Sequence, residues 1–245
     1  MSDDPTQRFY GRWARLYDRL ADVGTVARLR GAAVDALAPP RGGTAVDVGT
    51  GTGANLAYLR DAVGPGGRLV GLDLTSGMLR AAQRRLSRSR SSERPAEDED
   101  GHGTVDDGVE VDLLRADAAR PPLRDGAADA VLASFVSGML RDPDAAVRRW
   151  ADVVGPGGRL ALLDFARSTG AGRPLNPAFR AFVRGTSPPG TRSSVDVSPA
   201  AILDQRVVAA HRALMDVCVD GSVSHETHAL GFARVSTGTV APRDE

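Results

Sequence analysis

Lysine is absent: all 31 basic side chains of this 245-residue chain are arginine. A guanidinium stays protonated and forms no imine, which excludes lysine Schiff-base chemistry and with it pyridoxal-phosphate and aldolase-like reactions. The Walker-type phosphate lysine is missing for the same reason. A lone cysteine, Cys218, permits neither a disulfide framework nor a cysteine zinc cluster, and its apolar neighbours mark it as a small core residue. No metal site is expected. Aromatic residues make up only 4% of the chain, leaving few rings on which bases could stack. Net charge is zero, with 31 acidic against 31 basic side chains, so no basic face is available to displace phosphate counterions. Nucleic acid is therefore not an expected partner. Neither a signal-peptide pattern nor an apolar run of about twenty residues occurs. A cytoplasmic protein without an integral membrane segment is the expectation.

The chain does have 42% hydrophobic residues, enough for a sizeable core in one α/β domain, and 28 glycines. The most informative glycines lie in Ala45-Val46-Asp47-Val48-Gly49-Thr50-Gly51-Thr52-Gly53-Ala54-Asn55. A β-branched run reaches an acid, glycines then alternate with small polar residues, and a helix-like segment to Arg60 follows. Glycines here let the backbone turn tightly and let a ligand approach closer than a Cβ permits. Free N–H groups at the new helix face the same place. A nucleoside-bearing cofactor suits such a site, and two readings compete. Gly49-x-Gly51-x-x-Ala54, with Asp73 following Gly49 by 24 residues, satisfies the relaxed dinucleotide fingerprint. Asp47-x-Gly49-x-Gly51-x-Gly53 satisfies another pattern.

That second pattern resembles motif I of the class I S-adenosylmethionine-dependent methyltransferases. Four further segments resemble the same family, in the family's order. Arg68 to Asp73 is an apolar strand ending in an acid, followed by Leu74, Thr75, Ser76 and the Met78-Leu79 pair that opens a helix from Gly77 to Leu86. Leu113 to Ala118 ends a third strand on Asp117 and Ala118, ahead of Pro121-Pro122. Ala128 to Val136 is a buried parallel strand by its unbroken apolar run, and it carries Ser134. Gly155-Pro156-Gly157-Gly158 then leads into a fifth strand, Arg159 to Phe165. These matches cover about half the chain, whereas the dinucleotide reading accounts only for the first two.

The resemblance implies an α/β fold: a Rossmann-like, seven-stranded, mostly parallel sheet with helices on both faces and a C-terminal antiparallel strand pair. It implies S-adenosylmethionine as cofactor, with Asp47, Gly49, Thr50, Gly51 and Gly53 shaping its loop. Asp73 would take the ribose hydroxyls beside Leu74 and Met78, and Asp117 and Ala118 the adenine. Ser134 and Tyr17 complete the expected contacts. As read from the residues alone, a helix-capping acid is the alternative role for Asp73 and a turn aspartate that for Asp117.

Residues 1–40 are expected to form capping helices, broken near Asp22-Val23-Gly24, ahead of a methyltransferase domain at 41–245. Segment 87–108 has almost no apolar residues and reads as a disordered insertion. Residues 166–215 read as a substrate-side helical insertion, with Asn176-Pro177 opening one helix and Pro199 another. Period-two alternation at 221–228 and 232–237 predicts the closing strand pair.

Phe9 to Asp18, and Asp164-Phe165-Ala166-Arg167-Ser168, resemble the ubiquinone/menaquinone-biosynthesis C-methyltransferases. The chain departs from that group in having Gly49-Thr50-Gly51 where Ala-Gly-Gly is usual. The implied partner is a small methyl acceptor, apolar and quinone-like molecules being candidates. A general base is not evident: His225 and His228 would face opposite sides of one strand, and His211 falls in a helix. Each reads as an ordinary polar residue. Phe9, Trp13, Phe135, Met139, Phe179 and Phe182 are candidates for an apolar pocket, with helix packing as the alternative.

Overall fold

The computed structural model describes residues 24–92, 108–186 and 199–242. The readings of Tyr17, Phe9, Trp13 and residues 93–107 lie outside that set. Five apolar runs become parallel strands: β1 (Thr44–Val48), β2 (Arg68–Asp73), β3 (Glu110–Arg115), β4 (Ala130–Ser134) and β5 (Arg159–Phe165). Two more strands, β6 (Ser224–His228) and β7 (Ala233–Thr239), close the sheet in the order β3-β2-β1-β4-β5-β7-β6. β7 is antiparallel to both of its neighbours.

Side-chain alternation divides the core between the two faces. Leu160 and Leu162 of β5, with Val131 and Ala133 of β4, point into a cluster that includes Trp150 and Leu214. Those two residues come from α4 (Pro143–Val154) and α6 (Pro199–Val217). Ala161 and Leu163, with Ala130 and Leu132, point the other way, toward Leu29, Leu37, Leu59 and Val63. These belong to α1 (Gly24–Leu37) and α2 (Leu56–Val63). α3 (Ser76–Ser92) and α5 (Asn176–Thr186) complete the set.

Local chemistry explains several boundaries. Asp142 accepts from the Ala145 N–H at 3.0 Å and Pro143 occupies the first turn, so α4 starts there. Arg159 donates to the carbonyls of Leu37 (2.5 Å) and Ala36 (3.0 Å), satisfying the end of α1 and pinning it to β5. α3 runs to Ser92, six residues beyond its expected end at Leu86, so the first six residues of the segment read as a disordered insertion are helical. β3 stops at Arg115, so Asp117 and Ala118 lie in the turn after it.

From β1 the chain runs outward through β2 to β3, then crosses back to β4 on the other side of β1 and continues the opposite way. Such a switch point opens a crevice above the strands' carboxyl ends. The glycine segment leaves β1 at that point.

Candidate functional site

Asp47, 1% exposed, organises the glycine segment from below. One carboxylate oxygen accepts from Thr50 Oγ1 at 2.6 Å and the other from Asn55 Nδ2 at 2.9 Å, joining the two ends of the loop. Asn55 Oδ1 accepts in turn from Arg30 of α1 at 2.5 Å. Burial pushes the Asp47 carboxyl up to about 6, although the Thr50 and Asn55 hydrogen bonds and the Arg30 charge oppose that rise. The acid thus braces the loop from within.

Gly49 has φ +69°, and a Cβ there would meet Val136 Cγ2 at 2.8 Å. Gly53 has φ +77°, and its Cβ would meet Ala82 of α3 at 2.9 Å. Both glycines are therefore required by conformation and by close approach. Gly51 is different: the nearest atom to its added Cβ is 3.9 Å away, so it borders open space. Thr50 is buried, with its N–H on the Leu72 carbonyl at 2.7 Å.

Asp73, at the tip of β2, reaches the loop. Its Oδ2 accepts from the Gly51 N–H at 3.0 Å and its Oδ1 from the Thr75 N–H at 2.7 Å. The Thr75 bond is a local turn at the start of α3, so the carboxylate takes the capping role as well as facing the loop. Burial raises its pKa, and the backbone hydrogen bonds from Thr75 and Gly51 oppose the rise. The Thr75 hydroxyl bonds the same carboxylate, so of its roughly four lone-pair sites about one remains. Leu74 beside it is 45% exposed, an apolar surface open at the same rim, whereas Met78 is buried within α3.

The Ala116 N–H donates to the Asp73 carbonyl at 3.1 Å, which sets the β3 exit against the β2 tip. Asp117 follows, exposed, with its Oδ1 on the Ala119 N–H at 2.9 Å. The Ala118 carbonyl turns inward to accept from Trp150 Nε1 at 2.7 Å. At the tip of β4 the Ser134 hydroxyl is buried without a hydrogen-bond partner among the described residues. Phe135 then takes φ +59° and stacks on Phe165, ring centroids 4.6 Å apart, with Arg30 5.1 Å from its ring centre. Met139 and Phe182 are half exposed, and Phe179 packs against Phe232.

Sequence reasoning passes over Arg30 and reads His211 and His225 as ordinary polar residues. Arg30 touches both the glycine segment and Phe135, although nothing local distinguishes it from the other arginines. His211 of α6 lies 3.4 Å from the buried Asp164 of β5. It shares the Ser236 hydroxyl with His225.

The donor set fits a nucleoside-bearing cofactor: an acid with a free lone pair, an open glycine, an exposed leucine and an unpaired buried hydroxyl share one rim. The sheet order decides between the two cofactor readings. The dinucleotide fold runs 3-2-1-4-5-6 in parallel, whereas an antiparallel β7 here separates β5 from β6.

Residues 46–162 match the family profile of the methyltransferase domain. The chain is 31% identical over 232 residues to nocamycin O-methyltransferase of Saccharothrix syringae, covering 90% of this chain and 72% of that one. It is 35% identical over 150 residues to a demethylmenaquinone methyltransferase of Thermus thermophilus, covering 61% and 60%. The chain thus spans about three-fifths of the length of that quinone-methylating relative. A putative S-adenosyl-L-methionine-dependent methyltransferase of Methanococcus maripaludis has the same fold, with a TM-score of 0.60 at 16% identity over 100% of this chain and 99% of that one. With that strand order and these relatives, the chain belongs to the class I S-adenosylmethionine-dependent methyltransferases.

Proposed function

We propose that the protein transfers a methyl group from S-adenosylmethionine to a small metabolite, in a cleft above the carboxyl ends of β1, β2 and β4. The observation that carries this reading is the Asp73 carboxylate, oriented by the Gly51 and Thr75 N–H groups beside the open Gly51, with a lone pair left for a ribose hydroxyl. Charge-assisted hydrogen bonds of that kind contribute roughly 1.5–3 kcal/mol each. Leu74 offers an apolar face for the base, Asp117 an acceptor for its amine, and Ser134 a hydroxyl for the polar tail. Asp47, Thr50, Gly49 and Gly53 act one step behind, by holding the loop in shape.

The sulfonium of the cofactor supplies an already activated methyl group. The protein's share is to hold the acceptor in line with it and to exclude water, and positioning of this kind can supply roughly 7–11 kcal/mol. Residues 166–186, which include α5, are the region we assign to covering the cleft, since α1 and α6 pack on the two faces of the sheet. The relatives named for demethylmenaquinone and nocamycin favour an apolar or quinone-like acceptor, to which the stacked Phe135 and Phe165 rings are suited. Balanced charge favours a small molecule over nucleic acid. Among the described residues no helix is long and apolar enough to cross a membrane, and a cytoplasmic location accords with that.

Thermal unfolding with S-adenosylhomocysteine tests the reading. A ligand at 100 times its Kd adds about 2.7 kcal/mol, which raises Tm by several degrees. Asp73→Ala and Gly51→Val are expected to abolish the rise. A flat response of the wild-type protein at millimolar ligand would overturn the proposal.

A further inference from the structure

The segment that follows β5 differs in charge from the rest of the chain. From Phe165 to Thr186 there are four arginines and no acidic residue, whereas acids and bases balance at 31 each overall. Arg167 pairs with Asp204 of α6. The side chains of Arg173, Arg180 and Arg184 are exposed and form no ion pair or hydrogen bond with the described residues.

α5 divides its apolar residues between two sides. Phe179 and Val183, one turn apart, are half-buried, and the Phe179 ring lies 5.3 Å from that of Phe232. Ala178, Ala181 and Phe182 lie on the outer side and are exposed, Phe182 by 50%. Arg180 and Arg184, again one turn apart, border that strip. An exposed apolar strip bordered by arginines is the pattern of a helix that lies in a water–lipid interface.

Two leucines extend the strip. Leu175, in the turn before α5, is 51% exposed, and Leu230, in the β6–β7 connection, is 60% exposed. Leu230 adjoins the same segment, because its carbonyl accepts from the Gly172 N–H at 3.0 Å and from Ser168 Oγ at 2.7 Å. Ala229 and Leu230 take φ +50° and +59°, a left-handed pair that residues other than glycine adopt at a cost. That strained turn holds a large apolar side chain in water rather than in the core. Strain and apolar exposure at one place mark a surface that has a partner.

We propose that α5, with Leu175 and Leu230 beside it, docks on the surface of an anionic lipid bilayer. The partner has to accept apolar side chains and satisfy guanidinium groups at nearly the same depth. The headgroup layer does both. Phe182, Leu175 and Leu230 enter toward the acyl chains, while Arg173, Arg180 and Arg184 reach the phosphates on flexible apolar stems. A strip this short makes the contact shallow, reversible and dependent on anionic lipid. It differs from a membrane span, for which no described helix is long and apolar enough. The docking surface follows the carboxyl end of β5, where Phe165 stacks on Phe135 next to the β4 tip. Docking does not depend on the methyl-transfer reading. Together they put an apolar acceptor's own phase at the end of the sheet where the cofactor loop lies.

Flotation of the full chain with vesicles tests this. Vesicles of about one-third phosphatidylglycerol in phosphatidylcholine are expected to carry the protein, and pure phosphatidylcholine is not. Raising salt from about 0.05 to about 0.5 M should lower the bound fraction at least about tenfold. The double variant Arg180→Glu, Arg184→Glu should lower the partition coefficient at least about 30-fold. Arg80→Glu with Arg84→Glu makes the same charge change on exposed residues of α3 and should stay within about twofold of the wild type. An unchanged Tm shows that each variant is folded. In Phe182→Trp, brominated acyl chains should quench emission beyond their effect on the wild type. Absence of flotation with anionic vesicles overturns the proposal, as does an equal loss in the α3 variant or no added quenching in Phe182→Trp. Polyglutamate that displaces the vesicles at equal charge concentration also overturns it, and assigns the surface to an acidic protein.

Discussion

Asp47 has to keep a carboxyl group out of water, and this makes stability depend on pH in an unusual direction. Its folded pKa of about 6 lies above the ordinary carboxylate value, so the unfolded chain gives up this proton first. Its contribution is fully present below about pH 4 and is lost as pH rises through about 6. Relative to Asp47→Asn, the wild type should lose about 2–3 kcal/mol between those limits, read from urea unfolding at each pH. Parallel curves for the two proteins would show that Asp47 is already ionised at acid pH. Gly49 allows a second test. Gly49→Ala combines a left-handed backbone penalty of about 1–2 kcal/mol with overpacking of about 1–3 kcal/mol against Val136. In a Val136→Ala background the clash with Cγ2 is gone and only the 3.0 Å approach to Cβ remains, so the shift of the urea midpoint should shrink toward the backbone part.

At the scale of elements, α4 supports the rim it does not form. Trp150 is fully buried, and its indole N–H holds the Ala118 carbonyl in the turn that carries Asp117. Trp150→Phe keeps most of the packing but leaves that carbonyl unpaired, a loss of about 1–3 kcal/mol in denaturant unfolding. Trp150→Ala should lose about 3–5 kcal/mol. The cross-strand Arg68–Asp112 pair, at 2.6 Å, is half exposed on both sides. Arg68→Ala should therefore leave the urea midpoint close to that of the wild type. The five parallel strands and their succession along the chain were legible because long apolar runs and Gly-Pro-Gly-Gly turns are local signals. Boundaries were less so. The third strand stops at Arg115 rather than reaching Ala118, since hydrogen bonding to β2 ends where Asp73 ends.

For the whole molecule, one buried thiol reports on global unfolding. Cys218 lies where α6 meets the end of β7, bridged to Val240, and burial pushes its pKa up to about 11. Few thiolates exist at neutral pH and the sulfur is enclosed. Labelling by a thiol reagent at pH 8 should thus be slow in the native protein and accelerate with denaturant in step with global unfolding. Fast native labelling would mean that the β6–β7 edge opens independently of the rest.

The sequence by itself determined the five strand tips, the glycine segment and the acids that follow it, because each is written in contiguous residues. The cofactor family was legible for the same reason. Only the tertiary structure decided that Asp47 faces into the loop, that Arg30 joins α1 to that loop, and that β7 enters between β5 and β6. It alone brought Asp164, His211, Ser236 and His225 into line. These contacts join residues from different strands and helices, 27 apart for Ser137 and Asp164 and 25 for His211 and Ser236. No local propensity encodes them; they arise when apolar faces pack and leave buried polar groups only one another to bond.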